Sequence, residues 1–192
     1  MPRKGPRVKP HIDFALRGDR NLFGESEDRI VKVEDSPLRV RRSIYIKASP
    51  DHVWSEFANF EHMNRWWGAR TGDPQAGTSK GQYLLEYVPK AGGRAMMAVD
   101  WDGSRVSYGG KIKVFDAGRE LTFENDWIPN QGWNAPTLIT IRLLRALDGT
   151  LVELFHYGFE RTGGDVGAAH AGYEQGWGMT QLNALKAIVE GH

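Results

Sequence analysis

Between residues 44 and 68 a strand-type run passes directly into two short helices whose shared face is almost wholly aromatic. Such a face has few ways to be buried. Ile44-Tyr45-Ile46 leads into Ala48-Ser49-Pro50. Ser49 is placed to accept the early helical N–H groups, and Pro50 takes the first helical position, where a missing N–H costs nothing. Val53, Trp54, Phe57 and Phe60 then fall on one helical face, which Met63, Trp66 and Trp67 continue. Two short helices cannot hide that much aromatic surface against each other. They need a broad partner, and a sheet is the broad partner available.

The rest of the chain supplies it. Segments 82–88, 94–101, 106–115, 120–127, 137–145 and 151–159 are rich in Val, Ile, Leu, Phe, Tyr and Thr. Short turn signals separate most of them: Ala91-Gly92-Gly93, Asp102-Gly103, Asp116-Ala117-Gly118 and Asp148-Gly149. Connections that short favour an antiparallel meander over crossover units. A long helix is expected over 166–190, with Asp165 as its cap and Gly191 as its stop. The predicted order is strand, two short helices, six strands, long helix.

Several classes of function lose support on composition. The net charge of +1 gives no reason to expect nucleic acid as a partner. No apolar run approaches the roughly 20 residues that a membrane-spanning helix needs. The first residues, Met1-Pro2-Arg3-Lys4-Gly5-Pro6-Arg7, do not read as a secretory segment, and there is no cysteine, so a cytoplasmic protein without disulfides is expected. The six histidines show no ligand-spaced pair, and GxSxG and phosphate-binding glycine patterns are missing. No metal or cofactor is therefore expected.

The order of elements, with Ala48-Ser49-Pro50-x-x-Val53-Trp54, Trp66-Trp67-Gly68, Gly149-Thr150-x-Val152-x-Leu154-x-His156-x-Gly158 and Gly176-Trp177, resembles the START-like helix-grip (SRPBCC) superfamily. Within it the chain looks like the branch named after the C-terminal domain of the activator of Hsp90 ATPase. The likeness covers roughly residues 38–191. It implies an α+β helix-grip fold, in which a curved antiparallel sheet of about seven strands wraps around the C-terminal helix. Two short helices follow the first strand, and a cavity lies between sheet and helix. The superfamily includes lipid and hydrophobic-ligand binders, polyketide cyclases and a co-chaperone domain, so fold alone does not decide function.

Residues 1–37 fall outside the likeness and form a basic, Pro-containing extension, with 38–192 as the domain. Arg3, Lys4, Arg7 and Lys9 alternate with prolines as in a tail, whereas Ile12, Phe14, Leu16, Leu22, Phe23, Ile30 and Val31 suit an arm. Such an arm would add a strand or wrap a second subunit, which would make a homodimer.

Phasing the strands assigns candidate cavity residues. The family motif places Val152 and Leu154 inward, which carries His156 with them. Ile139, Ile141 and Leu143 then face in, and Thr140 and Arg142 face out. Leu121, Phe123, Asn125 and Trp127 form the inner set of their strand, and Met97, Val99, Trp101 and Tyr108 are assigned inward beside them. Asn125 would set a carboxamide into an apolar wall where relatives often carry an aromatic. On the terminal helix His170, Tyr173, Glu174, Trp177 and Gln181 share the inner stripe. His170 and Glu174, four apart, are spaced to bond each other, to orient a ligand or to move protons. The candidate ligand-binding set is Trp54, Phe57, Trp66, Trp67, Met97, Trp101, Tyr108, Phe123, Asn125, Trp127, His156, Tyr173, Trp177 and Gln181. The candidate proton-transfer residues are His156, His170 and Glu174. Trp133, in a loop rich in turn residues, would lid the cavity or meet another subunit.

The reading is of a domain that encloses a small hydrophobic or aromatic molecule. Its alternatives are a polyketide cyclase or dehydratase-like enzyme and a co-chaperone-like interaction module.

Overall fold

In the computed structural model, which describes residues 31–68, 70–71, 80–101 and 104–192, the meander expected from the turn signals is present. Its strands are β1 (Arg39–Ile46), β2 (Arg70–Thr71), β3 (Lys80–Tyr87), β4 (Arg94–Trp101), β5 (Ser104–Asp116), β6 (Glu120–Ile128), β7 (Thr137–Ala146) and β8 (Gly149–Tyr157). All pairs are antiparallel, in the order β1-β8-β7-β6-β5-β4-β3-β2. Seven of these strands are long, and β2 adds a two-residue edge. The first strand alone leaves sequence order, closing on β8 with Val40 opposite His156. Register shifts at Leu84/Glu86 and Ile112/Val114 bend the sheet. At Gly109, φ is +129°, and an added Cβ would sit 2.1 Å from the Ala95 carbonyl oxygen, so β4 and β5 approach too closely there for a side chain.

Two short helices, α1 (Pro50–Trp54) and α2 (Phe60–Trp67), follow β1. Ser49 Oγ accepts from the His52 N–H at 3.3 Å, with Pro50 at the first position as expected. Asn59 Oδ1 caps the second helix from the His62 N–H at 2.9 Å. Most of their aromatic face packs as a connected row, although Phe60, read onto that face, is exposed at the start of α2. Trp54 stacks on Phe57 at 5.0 Å, Phe57 meets Trp66 at 5.0 Å, and Trp66 meets Trp67 edge-on at 5.3 Å. Trp67 then reaches Phe123 and Trp177 at 5.8 and 6.0 Å.

The C-terminal helix is bent. It comprises α3 (Val166–Gly176) and α4 (Thr180–Glu190), joined by Trp177-Gly178-Met179. Asp165 caps the first part through the Ala168 N–H at 2.9 Å, and Gly191 ends the second in the left-handed region. Trp177 is extended, with φ −75° and ψ 102°, between two glycines that give the helix little reason to continue. Leu182, Leu185 and Val189 of α4 join the core, and α4 packs on β1, α1 and α2.

Two carbonyls at the bend are taken by one side chain. Arg42 Nη2 donates to the Glu174 carbonyl at 2.6 Å, Nε to the Trp177 carbonyl at 2.8 Å, and Nη1 to Glu174 Oε1 at 2.9 Å. Charge-assisted bonds to otherwise unpaired carbonyls make Arg42 the clasp of the bend. Arg42→Met is expected to cost about 1–3 kcal/mol. Amide exchange should quicken over residues 166–179 while the β6–β8 amides stay protected, which hydrogen-exchange mass spectrometry would read.

The outer face of the sheet is polar but well covered. Thr140, read as outward, is fully buried there and bonds Thr122 at 2.6 Å and Tyr157 at 3.1 Å. Arg142, also outward, pairs with Glu120 at 2.8 Å and with Glu34. The described compact unit runs from Lys32 to His192. The basic prolines, the apolar residues 12–30 and any homodimer through them lie outside the described residues. Among the described residues, no helix is long and apolar enough to cross a membrane.

Candidate functional site

Where the sheet curves beneath the bent helix, a cavity of about 530 Å³ remains. Its sheet wall is Gln82 from β3, Val99 from β4, Tyr108 from β5, and Asn125 and Trp127 from β6. The helical wall is Ala168, Ala169, Gly172, Tyr173 and Gly176 from α3, then Trp177, Gly178, Thr180 and Gln181. Gly172 and Gly176 of that wall are exposed. Period-two alternation on β6 turns Asn125 and Trp127 to the same side as Phe123, one step further from the filled core.

Polar groups in this wall have defined partners. Asn125 Nδ2 donates to Thr137 Oγ1 at 3.2 Å and to the Tyr173 hydroxyl at 3.3 Å. The Tyr108 hydroxyl donates to Gln82 Oε1. Trp127 lies against Tyr108 with ring centres 5.5 Å apart. Burial raises the Tyr108 phenol above its usual range and pushes Tyr173 up to about 12, so both hydroxyls keep their protons at neutral pH.

Behind the wall lies His156, fully buried. Trp177 Nε1 donates to its Nδ1 at 2.9 Å, so by the logic of its partners Nδ1 is bare and Nε2 carries the hydrogen. That hydrogen goes to Thr137 Oγ1 at 2.7 Å, and the Thr137 hydroxyl donates onward to the Asn125 carbonyl at 3.0 Å. Tyr173, Phe159 and Trp177 rings surround the imidazole at 4.2, 4.9 and 6.0 Å. Burial, with a smaller contribution from His170, lowers its pKa to about 3. A neutral imidazole with both nitrogens engaged orients Trp177 and, through Thr137, Asn125. It has no free lone pair with which to take a substrate proton.

The cavity brings together Tyr108, Asn125, Trp127, Tyr173, Trp177 and Gln181 of the residues assigned from sequence. Trp54, Phe57, Trp66, Trp67, Met97 and Phe123 pack into the core cluster and are not among its lining residues. The side chain of Trp101 lies outside the described residues. His170 sits edge-on to Phe159 at 5.5 Å, and the exposed Glu174 turns to Arg42. The pair at i and i+4 therefore does not meet as a hydrogen-bonded unit. Trp133 lies 6.3 Å from the Tyr173 ring, beside the site.

Sequence reasoning missed Gln82, Thr180 and the small residues of α3. The small residues carried a legible signal. Ala168, Gly172 and Gly176 recur every fourth residue, which lines one helical face with almost no side chain and leaves space beneath it. Gln82 carried none, since only its pairing with Tyr108 across the sheet gives it meaning. Among the described residues, no group of three or more potential metal ligands converges.

Comparison with known proteins gives the same architecture. A protein from Arthrobacter aurescens aligns with a TM-score of 0.62 at 17% identity, over 85% of this chain and 91% of its own. One from Staphylococcus epidermidis aligns at 0.59 with 14% identity, over 85% and 94%. One from Chromobacterium violaceum aligns at 0.58 with 18% identity, over 80% and 98%. At such identities the likeness shows the fold. No curated protein matches the sequence. The family described as activator of Hsp90 ATPase homolog 1-like protein matches residues 47–190, three quarters of the chain, and the chain belongs to that family.

Proposed function

We propose that this protein binds a small hydrophobic or aromatic molecule in the cavity between sheet and bent helix. The observation that carries the reading is a space of about 530 Å³ walled by Tyr108, Trp127, Tyr173 and Trp177, with Gln82, Asn125 and Gln181 as polar anchors. Volume and composition of this kind suit a molecule of drug-like size held by apolar contact and oriented by a few hydrogen bonds. The reading is one of binding rather than proton transfer. His156 spends both nitrogens on the wall, and Glu174 is held outside by Arg42. Action on a chaperone is suggested by the family's name alone and rests on no residue of this site.

The test fills the cavity without disturbing the fold. A Cβ at Gly172 would meet nothing within 4 Å, and leucine is a better helix former than glycine. Gly172→Leu is expected to keep the circular-dichroism spectrum and the melting temperature. It should weaken binding of the uncharged dye Nile red at least tenfold by fluorescence titration. Saturable binding that is equal in both proteins would place the dye elsewhere, and no saturable binding by the wild type would remove the proposal.

A further inference from the structure

Among the described residues that line the cavity none is charged, although 26% of the chain is Asp, Glu, Lys or Arg. A carboxylate or ammonium guest would leave water without a counter-ion to replace its hydration, and that cost rises steeply in an apolar site. The Asp126 carboxylate adds a small further push to the raised Tyr173 phenol, and its negative charge disfavours an anion there.

The hydrogen-bond directions narrow the choice. Asn125 Nδ2 donates to the Tyr173 oxygen, which leaves the Tyr173 hydrogen to point away from Asn125. Tyr108 gives its hydrogen to Gln82 Oε1, which leaves Gln82 Nε2 as a second donor on the wall. The wall thus offers O–H and N–H donors to a guest beside the amide oxygens of Asn125 and Gln181, and Tyr173 stays protonated to serve as a donor.

From this arrangement we infer that the guest is an uncharged aromatic carbonyl compound, such as an aryl ketone or quinone, whose oxygen accepts from the Tyr173 hydroxyl. The inference rests on the binding function proposed above and narrows it. A carbonyl is a neutral group that accepts hydrogen bonds strongly without having to donate one in return, and the aromatic body of such a guest matches Trp127, Tyr108 and Trp177.

The experiment uses four probes on one ring system at pH 7.5, followed by tryptophan fluorescence and calorimetry. They are 2-acetylnaphthalene, 2-naphthoate, 2-naphthylmethylamine and the oxygen-free 2-ethylnaphthalene. The ketone should bind at least tenfold more tightly than the anion or the cation. Tyr173→Phe, which keeps the ring against His156, should weaken the ketone about fivefold, the worth of one neutral hydrogen bond, and leave 2-ethylnaphthalene unchanged. Binding of the naphthoate or the amine as tight as the ketone would overturn the inference while leaving the binding function intact. Equal weakening of ketone and hydrocarbon by Tyr173→Phe would do the same. If none of the four binds, the cavity is not a binding site for aromatic guests, and the inference falls together with the function beneath it.

Discussion

Trp66→Ala is expected to remove about 3–5 kcal/mol of folding stability, the usual cost of emptying a large buried aromatic site. The side chain is fully buried, wedged between Phe57 at 5.0 Å and Trp67 at 5.3 Å. Its Nε1 also donates to the Glu56 carbonyl at 3.1 Å, so truncation leaves a buried acceptor unpaired as well as a void. Glu56 is itself buried and held by Arg65 at 2.7 Å, which ties the loss to the junction between the two short helices. Trp66→Phe should cost less, because it keeps most of the packing and loses chiefly the hydrogen bond. Trp133→Ala, in a connecting loop beside the site, should change stability by less than about 1 kcal/mol. Urea denaturation would show these as shifts of midpoint at constant slope. If the two alanine variants cost the same, the aromatic row from Trp54 to Trp177 does not carry the core.

That contrast also explains how far the sequence could be read. Periodicity identified the inward face of β6, β7 and β8. Leu121, Phe123, Asn125, Ile139, Ile141, Leu143, Val152, Leu154 and His156 are all buried. Caps at Ser49 and Asp165 and the stop at Gly191 were legible because they depend on neighbouring residues alone. An inward face, however, has two fates. Trp66 and Trp67 meet other rings and fill space, whereas Trp127 and Trp177 border the cavity, and nothing in the spacing of either pair separates them. The difference arises where α3 leaves the helix axis, a bend fixed by Arg42 from more than 130 residues away in sequence. The His156 network was hidden for the same reason. Its members lie on β6, β7, β8 and the bend, and only folding brings them within hydrogen-bond reach.

The same network predicts a large acid sensitivity. In the unfolded chain His156 titrates near 6.5, and in the fold its value is lowered to about 3, chiefly by burial. Above pH 6.5 both states hold a neutral imidazole, and pH has no leverage through this group. Below it the unfolded state takes up a proton that the folded state refuses, so stability falls as pH falls, until about pH 3. The slope is about 1.4 kcal/mol per pH unit, which makes about 2 kcal/mol between pH 6.5 and 5. His156→Gln, less stable at pH 7 because Trp177 and Thr137 lose their shared partner, cannot titrate. The gap in unfolding free energy between wild type and variant should therefore shrink by about 2 kcal/mol from pH 7 to 5. Glu34, Asp148 and Glu190, whose values are lowered by Arg142, Tyr45 and the Lys47 N–H respectively, lose their contributions only below their unfolded values near 4. They are present in both proteins and cancel in the difference. Urea unfolding of the pair at pH 7, 6 and 5 measures it directly. A gap that stays constant would mean that the imidazole accepts a proton inside the fold. It would return to His156 the acid–base capacity that its two hydrogen bonds otherwise deny it.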